Sequence, residues 1–197
     1  MTRETPHLET ARLILRLGEP GDAKEIARFY LENKEYLTPW SPEWPPGFFT
    51  EKYWQEQIRL NLSDFRSGLA IKLFIFPKDQ PQKIIGVANF TNVIRGAFQA
   101  CYLGYNLAET AQGHGYMVEA LQTAIDYVFA EYKLHRIMAN YMPHNRRSGS
   151  VLRRLGFGVE GYARDYVMIA GEWQDHILTS LPNPHWGLVD GGQGKVA

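Results

Sequence analysis

The feature that most constrains this chain is the segment Gln112-Gly113-His114-Gly115-Tyr116-Met117. It joins a strand-like run, Ala100 to Leu107, to a helix-like run, Val118 to Glu131. A strand that passes through a glycine turn into a helix builds an anion site. The first N–H groups of a helix lack internal partners, and they sit at the positive end of its dipole. Glycine, with no Cβ, lets a phosphate come close to the backbone. Alone, the segment is equally well an ordinary strand-to-helix turn. It gains weight from Asn145-Arg146-Arg147-Ser148 downstream, which leads into Leu152 and Gly156-Phe157.

The rest of the chain supplies a setting for that turn. Arg12 to Leu17 alternates charged and apolar residues and predicts a first strand. Asp22-Ala23-Lys24-Glu25 reads as a capping box for a helix through about Asn33. A proline-broken loop, Thr38 to Gly47, carries Trp40 and Trp44, and Thr50 caps a second helix that runs to Ser67 and stops at Gly68. Leu69 to Phe76, Ile84 to Val93 and Ala100 to Leu107 read as an antiparallel meander. After the motif helix come a strand at Ile137 to Tyr141, a short helix from Asn145 to Leu155, and a hairpin of Tyr162 to Ile169 and Trp173 to Leu181 about Ala170-Gly171. The order predicts a mixed α/β fold with one central, mostly antiparallel sheet flanked by helices. With no internal repeat or linker, residues 1–189 are expected to form one domain, and the glycine-rich tail 190–197 to be disordered.

Composition narrows the functional classes. Lys+Arg and Asp+Glu balance at 21 each, so the net charge does not indicate RNA contact, although Arg146-Arg147 and Arg153-Arg154 offer a local basic patch. The single Cys101 excludes an intrachain disulfide framework and, in an apolar-aromatic strand, reads as a buried thiol. The start of the chain does not read as a signal peptide, and no apolar run approaches the ~18 residues of a transmembrane helix. No membrane association and a cytoplasmic location are expected. The six histidines lack metal-ligand spacing, so no metal is expected.

The two motif stretches resemble those of the GNAT acetyltransferases, and the element order from Leu13 to about Leu181 is similar to theirs. In that family Q/R-x-x-G-x-G/A binds the pyrophosphate of coenzyme A. The resemblance implies acetyl-CoA as co-substrate. It implies a cofactor site made of Tyr105 and Leu107 at the strand end, Gln112, Gly113, His114, Gly115, Tyr116 and Met117 in the loop, and Asn145 beyond. Met117 stands where the family has Gly or Ala; its N–H survives, and its side chain must point away from the ligand. Ser148, one turn after Asn145, is implied as the group that protonates the leaving thiolate. Ordinary roles compete with these, a plain N-cap for Asn145 and a solvated helix position for Ser148.

Within the family, Gly86 to Phe90, Ala100 to Tyr105, Met138 to Asn145, Tyr162 to Asp165 and Gly171 to His176 resemble the branch that acetylates an N-terminal alanine of a small-subunit ribosomal protein. The resemblance implies that substrate as partner, with Asn89, Tyr102, Trp40 and Trp44 at the acceptor. The tryptophans read equally well as a hydrophobic lid. The general base stays open. Glu119 and Asp165 are its foremost candidates, beside Asp175, His135, His144 and His176, and Glu119 also suits a plain dipole-stabilising role. Two other functions stay open as well. One is a GNAT acting on a small amine such as a polyamine or an antibiotic, against which the acid-poor Trp40/Trp44 loop argues. The other is a non-enzymatic ribosome-associated binding module, against which the near-zero net charge argues.

Overall fold

The computed structural model of the protein describes residues 4–187, so the expected disorder of 190–197 lies outside the described residues. Eight strands form one sheet: β1 (His7–Glu9), β2 (Leu13–Leu17), β3 (Ile71–Pro77), β4 (Gly86–Ile94), β5 (Ala100–Leu107), β6 (Arg136–Met138), β7 (Gly158–Ile169) and β8 (Glu172–Pro182). Their order is β1-β2-β3-β4-β5-β6-β8-β7. The β5–β6 pair is parallel, and every other pairing is antiparallel. The helices are α1 (Ala23–Glu32), α2 (Lys34–Leu37), α3 (Glu51–Arg66), α4 (Tyr116–Tyr132) and α5 (Arg146–Arg154).

Strand alternation distributes the helices over the two faces. Phe74 of β3 meets Trp54 of α3 edge to face, and Arg16 of β2 ion-pairs with Asp22 at the start of α1. These two helices therefore cover the face carrying Arg16, Phe74 and Phe76. On the other face Leu13, Leu15, Leu17, Leu73 and Ile75 are buried, and α4 and α5 lie there. The apolar spacing in α4 (Met117, Ala120, Leu121, Ala124, Ile125, Val128, Tyr132) is one helical stripe, fully buried. In α3 the buried stripe is Trp54, Ile58, Asn61 and Phe65.

Some local expectations fail for physical reasons. Asp22 does not cap α1. Its carboxylate is held by the Arg16 guanidinium at 2.5 and 2.9 Å and by the Glu19 N–H at 2.7 Å, and the reciprocal capping pair is Glu19/Asp22 around a 3-10 turn. A three-residue strand, β1, precedes the predicted first strand. The Trp40/Trp44 loop is partly helical, with α2 running into a 3-10 turn at Thr38–Trp40. The predicted strand through Tyr141 is regular only to Met138, and Tyr141 reaches Ile177 by an isolated bridge.

Thr50 does cap α3: its side chain accepts the Tyr53 N–H at 3.3 Å, and its hydroxyl donates to the Gly47 carbonyl at 2.7 Å. Thr50→Ala is expected to lower unfolding free energy by about 1 kcal/mol. Chemical denaturation would show this as a lower midpoint at unchanged slope.

Candidate functional site

Between β5 and α4 the chain makes two left-handed turns, at Gly113 (φ 81°) and Gly115 (φ 77°). The second is the N-cap of α4, and no side chain caps the helix there. The helical ladder reaches back to Gly115 O through Glu119 N–H at 3.1 Å, so the N–H groups of Tyr116, Met117 and Val118 face out of the helix end. Met117 is buried in the core and shows the loop only its backbone. His114 is exposed with its ring 5.6 Å from that of Tyr116, and Arg12 lies 4.5 Å over the Tyr116 ring. Gln112 is clamped from two sides: its amide nitrogen donates to Tyr36 Oη, and its Oε1 accepts from Arg147 of α5 at 2.7 Å. Unpaired helix N–H groups beside an arginine form a seat for a multiply charged phosphate group.

The sheet is split next to this seat. β5 pairs with β6 at Ala100, Cys101 and Tyr102 only. Past Met138 the chain leaves β5 and follows β8, with Ala139 N–H on Thr179 O and a reciprocal pair between Tyr141 and Ile177. The edge of β5 from Leu103 to Leu107 therefore borders a V-shaped opening, with Tyr105 and Leu107 on one arm and the segment from 139 into α5 on the other. An extended ligand can add to such an edge as a strand does. Asn145 caps α5, its Oδ1 accepting the Ser148 N–H at 3.1 Å. Ser148 Oγ is 2.8 Å from the Tyr105 hydroxyl, which also donates to the Ser148 carbonyl at 3.1 Å. Burial pushes the Tyr105 phenol well above its ordinary pKa, so it stays protonated as a donor. The structure thus brings Asn145, Ser148 and Tyr105 together across the V.

Other sequence candidates separate. Tyr102 is the last residue of β5 paired with β6, at the apex of the V. Asn89 of β4 pairs with Gly104, which puts it on the same face of the sheet as Tyr102. Trp40 reaches the far arm, with its ring 5.5 Å from that of His144 just before α5. Trp44 does not: it packs among Tyr30, Phe48 and Phe49 and donates its indole N–H to Thr38 Oγ1, so it serves as part of the hydrophobic lid. Asp165 sits exposed at a β7 bulge with φ 47°, and its N–H donates to Asp175 at 2.9 Å. Asp175 also accepts the Tyr162 hydroxyl, which, with Asp165 N–H, holds its carboxyl below the usual range. Cys101 is buried and its thiol is pushed up to about 12, which leaves no thiolate for nucleophilic work.

Glu119 is a structural anchor. Its Oε1 accepts from Thr10 Oγ1 at 2.6 Å and from Arg12 N–H at 2.9 Å, and its Oε2 binds the Arg12 guanidinium at 2.7 and 2.5 Å. Burial pushes its pKa up, but these bonds outweigh burial and hold it below its ordinary 4.5. A carboxylate fixed in this way is a poor proton acceptor, and it ties the first turn of α4 to the β1–β2 link instead. Sequence reasoning passed over Tyr36 and the clamp made by Arg147. Arg147 stood within the second motif stretch, whereas the Tyr36 contact spans 76 residues and leaves no local signal.

Glu119→Gln should destabilise the fold by roughly 1.5–3 kcal/mol at pH 7, the size of hydrogen bonds to a charged group. Because the folded-state pKa is lowered, this contribution is present above 4.5 and lost as pH falls through the folded value. Melting temperatures of the two proteins should therefore differ at pH 7 and converge in acid.

Comparison with known proteins agrees with this geometry. Residues 12–158 match the model of the acetyltransferase (GNAT) domain. The chain is 48% identical over 179 residues to the [ribosomal protein uS5]-alanine N-acetyltransferase of Escherichia coli K12, covering 91% of this chain and 92% of that one. The crystal structure of ribosomal-protein-S5-alanine acetyltransferase from Vibrio fischeri superposes with a TM-score of 0.86 at 37% identity, covering 93% of this chain and 99% of that one. Mycobacterium smegmatis RimJ in complex with CoA-disulfide gives a TM-score of 0.83 at 26% identity, covering 93% and 88%. The split sheet, the glycine turn and this similarity over nine-tenths of the chain together place it in the GNAT family of acetyltransferases, to which it belongs.

Proposed function

We propose that this protein transfers the acetyl group of acetyl-CoA to the N-terminal α-amine, an alanine, of a small-subunit ribosomal protein in the cytoplasm. The observation that carries the reading is the 48% identity, across nine-tenths of both chains, to an enzyme named for that reaction. A single acetyltransferase domain over 1–189 belongs to the same reading, supported by one continuous sheet and the match over 12–158.

The residues fit an acetyl-CoA molecule along its length. The N–H groups after Gly113 and Gly115 take the pyrophosphate, with Gln112 and Arg147 beside them. The free edge of β5 near Tyr105 and Leu107 takes the pantetheine amides. Asn145 shapes the far arm, and Trp40 borders the acceptor side. Acetyl-CoA supplies an activated acyl carbon: the amine nitrogen bonds to it, the C–S bond breaks, and the thiolate must gain a proton while the nitrogen loses one. On this reading Ser148 gives that proton, and Tyr105, a neutral phenol 2.8 Å away, can replace it.

Two of the candidate bases are already engaged. Glu119 is committed to Arg12 and Thr10, and Asp175 to Tyr162 and Asp165. A reaction without a strong base favours an amine that is already partly neutral. A peptide N-terminus titrates near ~8 and lysine near ~10.4, which at 1.36 kcal/mol per unit favours the α-amine by roughly 3 kcal/mol. Peptides carrying both a free N-terminal alanine and an internal lysine should be acetylated at the α-amine, as read by fragment mass spectrometry. Acetyl groups mainly on lysine, or faster turnover of spermidine, would favour a small-amine enzyme instead.

Ser148→Ala should lower kcat by about 10²–10⁴-fold, the usual contribution of a general acid, with acetyl-CoA affinity little changed. Stopped-time assays with calorimetry on the same preparation separate the two. A wild-type kcat would remove Ser148 from the reaction.

A further inference from the structure

Resting on the acetyl-transfer reading above, we infer that Tyr166 and Tyr102 form the seat of the acceptor amine, and that Asn140 and His176 position Tyr166. The observations begin with a bulge. Ala163 pairs with His176 and Val167 with Gln174, so Arg164, Asp165 and Tyr166 together face Asp175 alone. Extra residues in one strand of a pair bend it and re-aim side chains, and such bulges favour functional sites. Here the bulge delivers Tyr166 across β8 to the apex of the V, where its hydroxyl accepts from Asn140 Nδ2 at 3.3 Å and faces the Tyr102 hydroxyl.

The orientation of the phenol is fixed by its neighbours. Asn140 Oδ1 accepts the Thr179 N–H at 3.2 Å, so its NH₂ must point at Tyr166. With one lone pair taken by that amide, the Tyr166 oxygen keeps a second lone pair and its own proton for a partner at the apex. The buried His176 packs its ring 5.6 Å from that of Tyr166 and is itself anchored by Nδ1 on Gln174 O at 2.9 Å. The same hairpin is tied at its tip to the Trp40 loop by Ala170 N–H on Ser41 O at 3.0 Å.

This seat suits a neutral amine. An N–H of the amine donates to the remaining lone pair of a phenol oxygen, and the nitrogen lone pair stays free for the acyl carbon. The groups named at this seat are two phenols and an amide, which offer hydrogen bonds but no ion pair to a protonated side-chain ammonium.

The test compares the unaltered protein with Tyr166→Phe and Asn140→Asp, using an N-terminal alanine peptide and acetyl-CoA. Loss of one neutral hydrogen bond predicts a roughly three- to tenfold rise in peptide KM for Tyr166→Phe. The kcat, acetyl-CoA affinity by calorimetry and melting temperature should stay within error. Asn140→Asp keeps the acceptor for Thr179 but removes the NH₂ that holds the Tyr166 oxygen, and should raise KM in the same direction. Unchanged peptide KM in Tyr166→Phe, with the unaltered protein active, overturns the seat alone. A fall in melting temperature matching the KM rise assigns Tyr166 a merely structural role and also overturns it. Absence of peptide turnover by the unaltered protein overturns the acetyl-transfer reading itself.

Discussion

Beyond Tyr102, β5 has a strand on one edge only, and the rest of the site is arranged around that fact. A sheet interior normally satisfies every backbone N–H and C=O, because an unpaired buried group costs about as much as a lost hydrogen bond. Here pairing with β6 stops at Tyr102–Met138, and the departing chain is instead paired to β8 through Ala139 and Tyr141. The two arms are each held firmly by their outer neighbours, so the opening between them is built in rather than a local defect. An extended, amide-bearing ligand is the natural partner for the edge left over.

The two ends of that opening are stabilised differently. At the end bordered by α4, strain is kept low by placing glycine at both left-handed positions, Gly113 and Gly115, and the helix N-terminus is left without a side-chain cap. Position is enforced from outside the loop, by Tyr36 and Arg147 on Gln112 and by the Glu119–Arg12–Thr10 cluster on the first turn of α4. At the other end Ser148 is held by Asn145 on its backbone N–H and by Tyr105 on its carbonyl and hydroxyl oxygens. Asn145 is therefore a helix cap and a wall of the opening at once.

How much of this was legible in the sequence depended on the range of the interaction. The bounds of β5, Ala100–Leu107, and the Thr50 cap follow from alternation and local hydrogen bonding, and both appear as read. The turn at Gly113 and Gly115 was legible because glycine at a strand-to-helix junction has a conformational reason. Asp22 misled because Arg16, six residues away, competes for its carboxylate more strongly than the α1 backbone does. Glu119 looked equally suited to catalysis and to the helix dipole until Thr10 and Arg12, over a hundred residues earlier, were brought to it. Trp40 and Trp44 are indistinguishable in a proline-rich loop, yet one meets His144 and the other enters the aromatic cluster with Tyr30 and Phe48. Long-range polar contacts have no periodicity, so they escape a reading that depends on periodicity.

That pattern bears on how such a site chooses its substrate. Each carboxylate proposed from sequence as a base is either bound by structural partners or exposed at the hairpin bulge, and burial holds the Tyr105 phenol protonated. On the acetyl-transfer reading, discrimination then falls to the acceptor's own acidity: the protein gains most from an amine that arrives neutral at physiological pH. A terminal amine does so in part, and a lysine hardly at all. Selectivity for chain termini would then follow from the lower pKa of the α-amine, with the Tyr102/Tyr166 seat holding the amine once it is neutral.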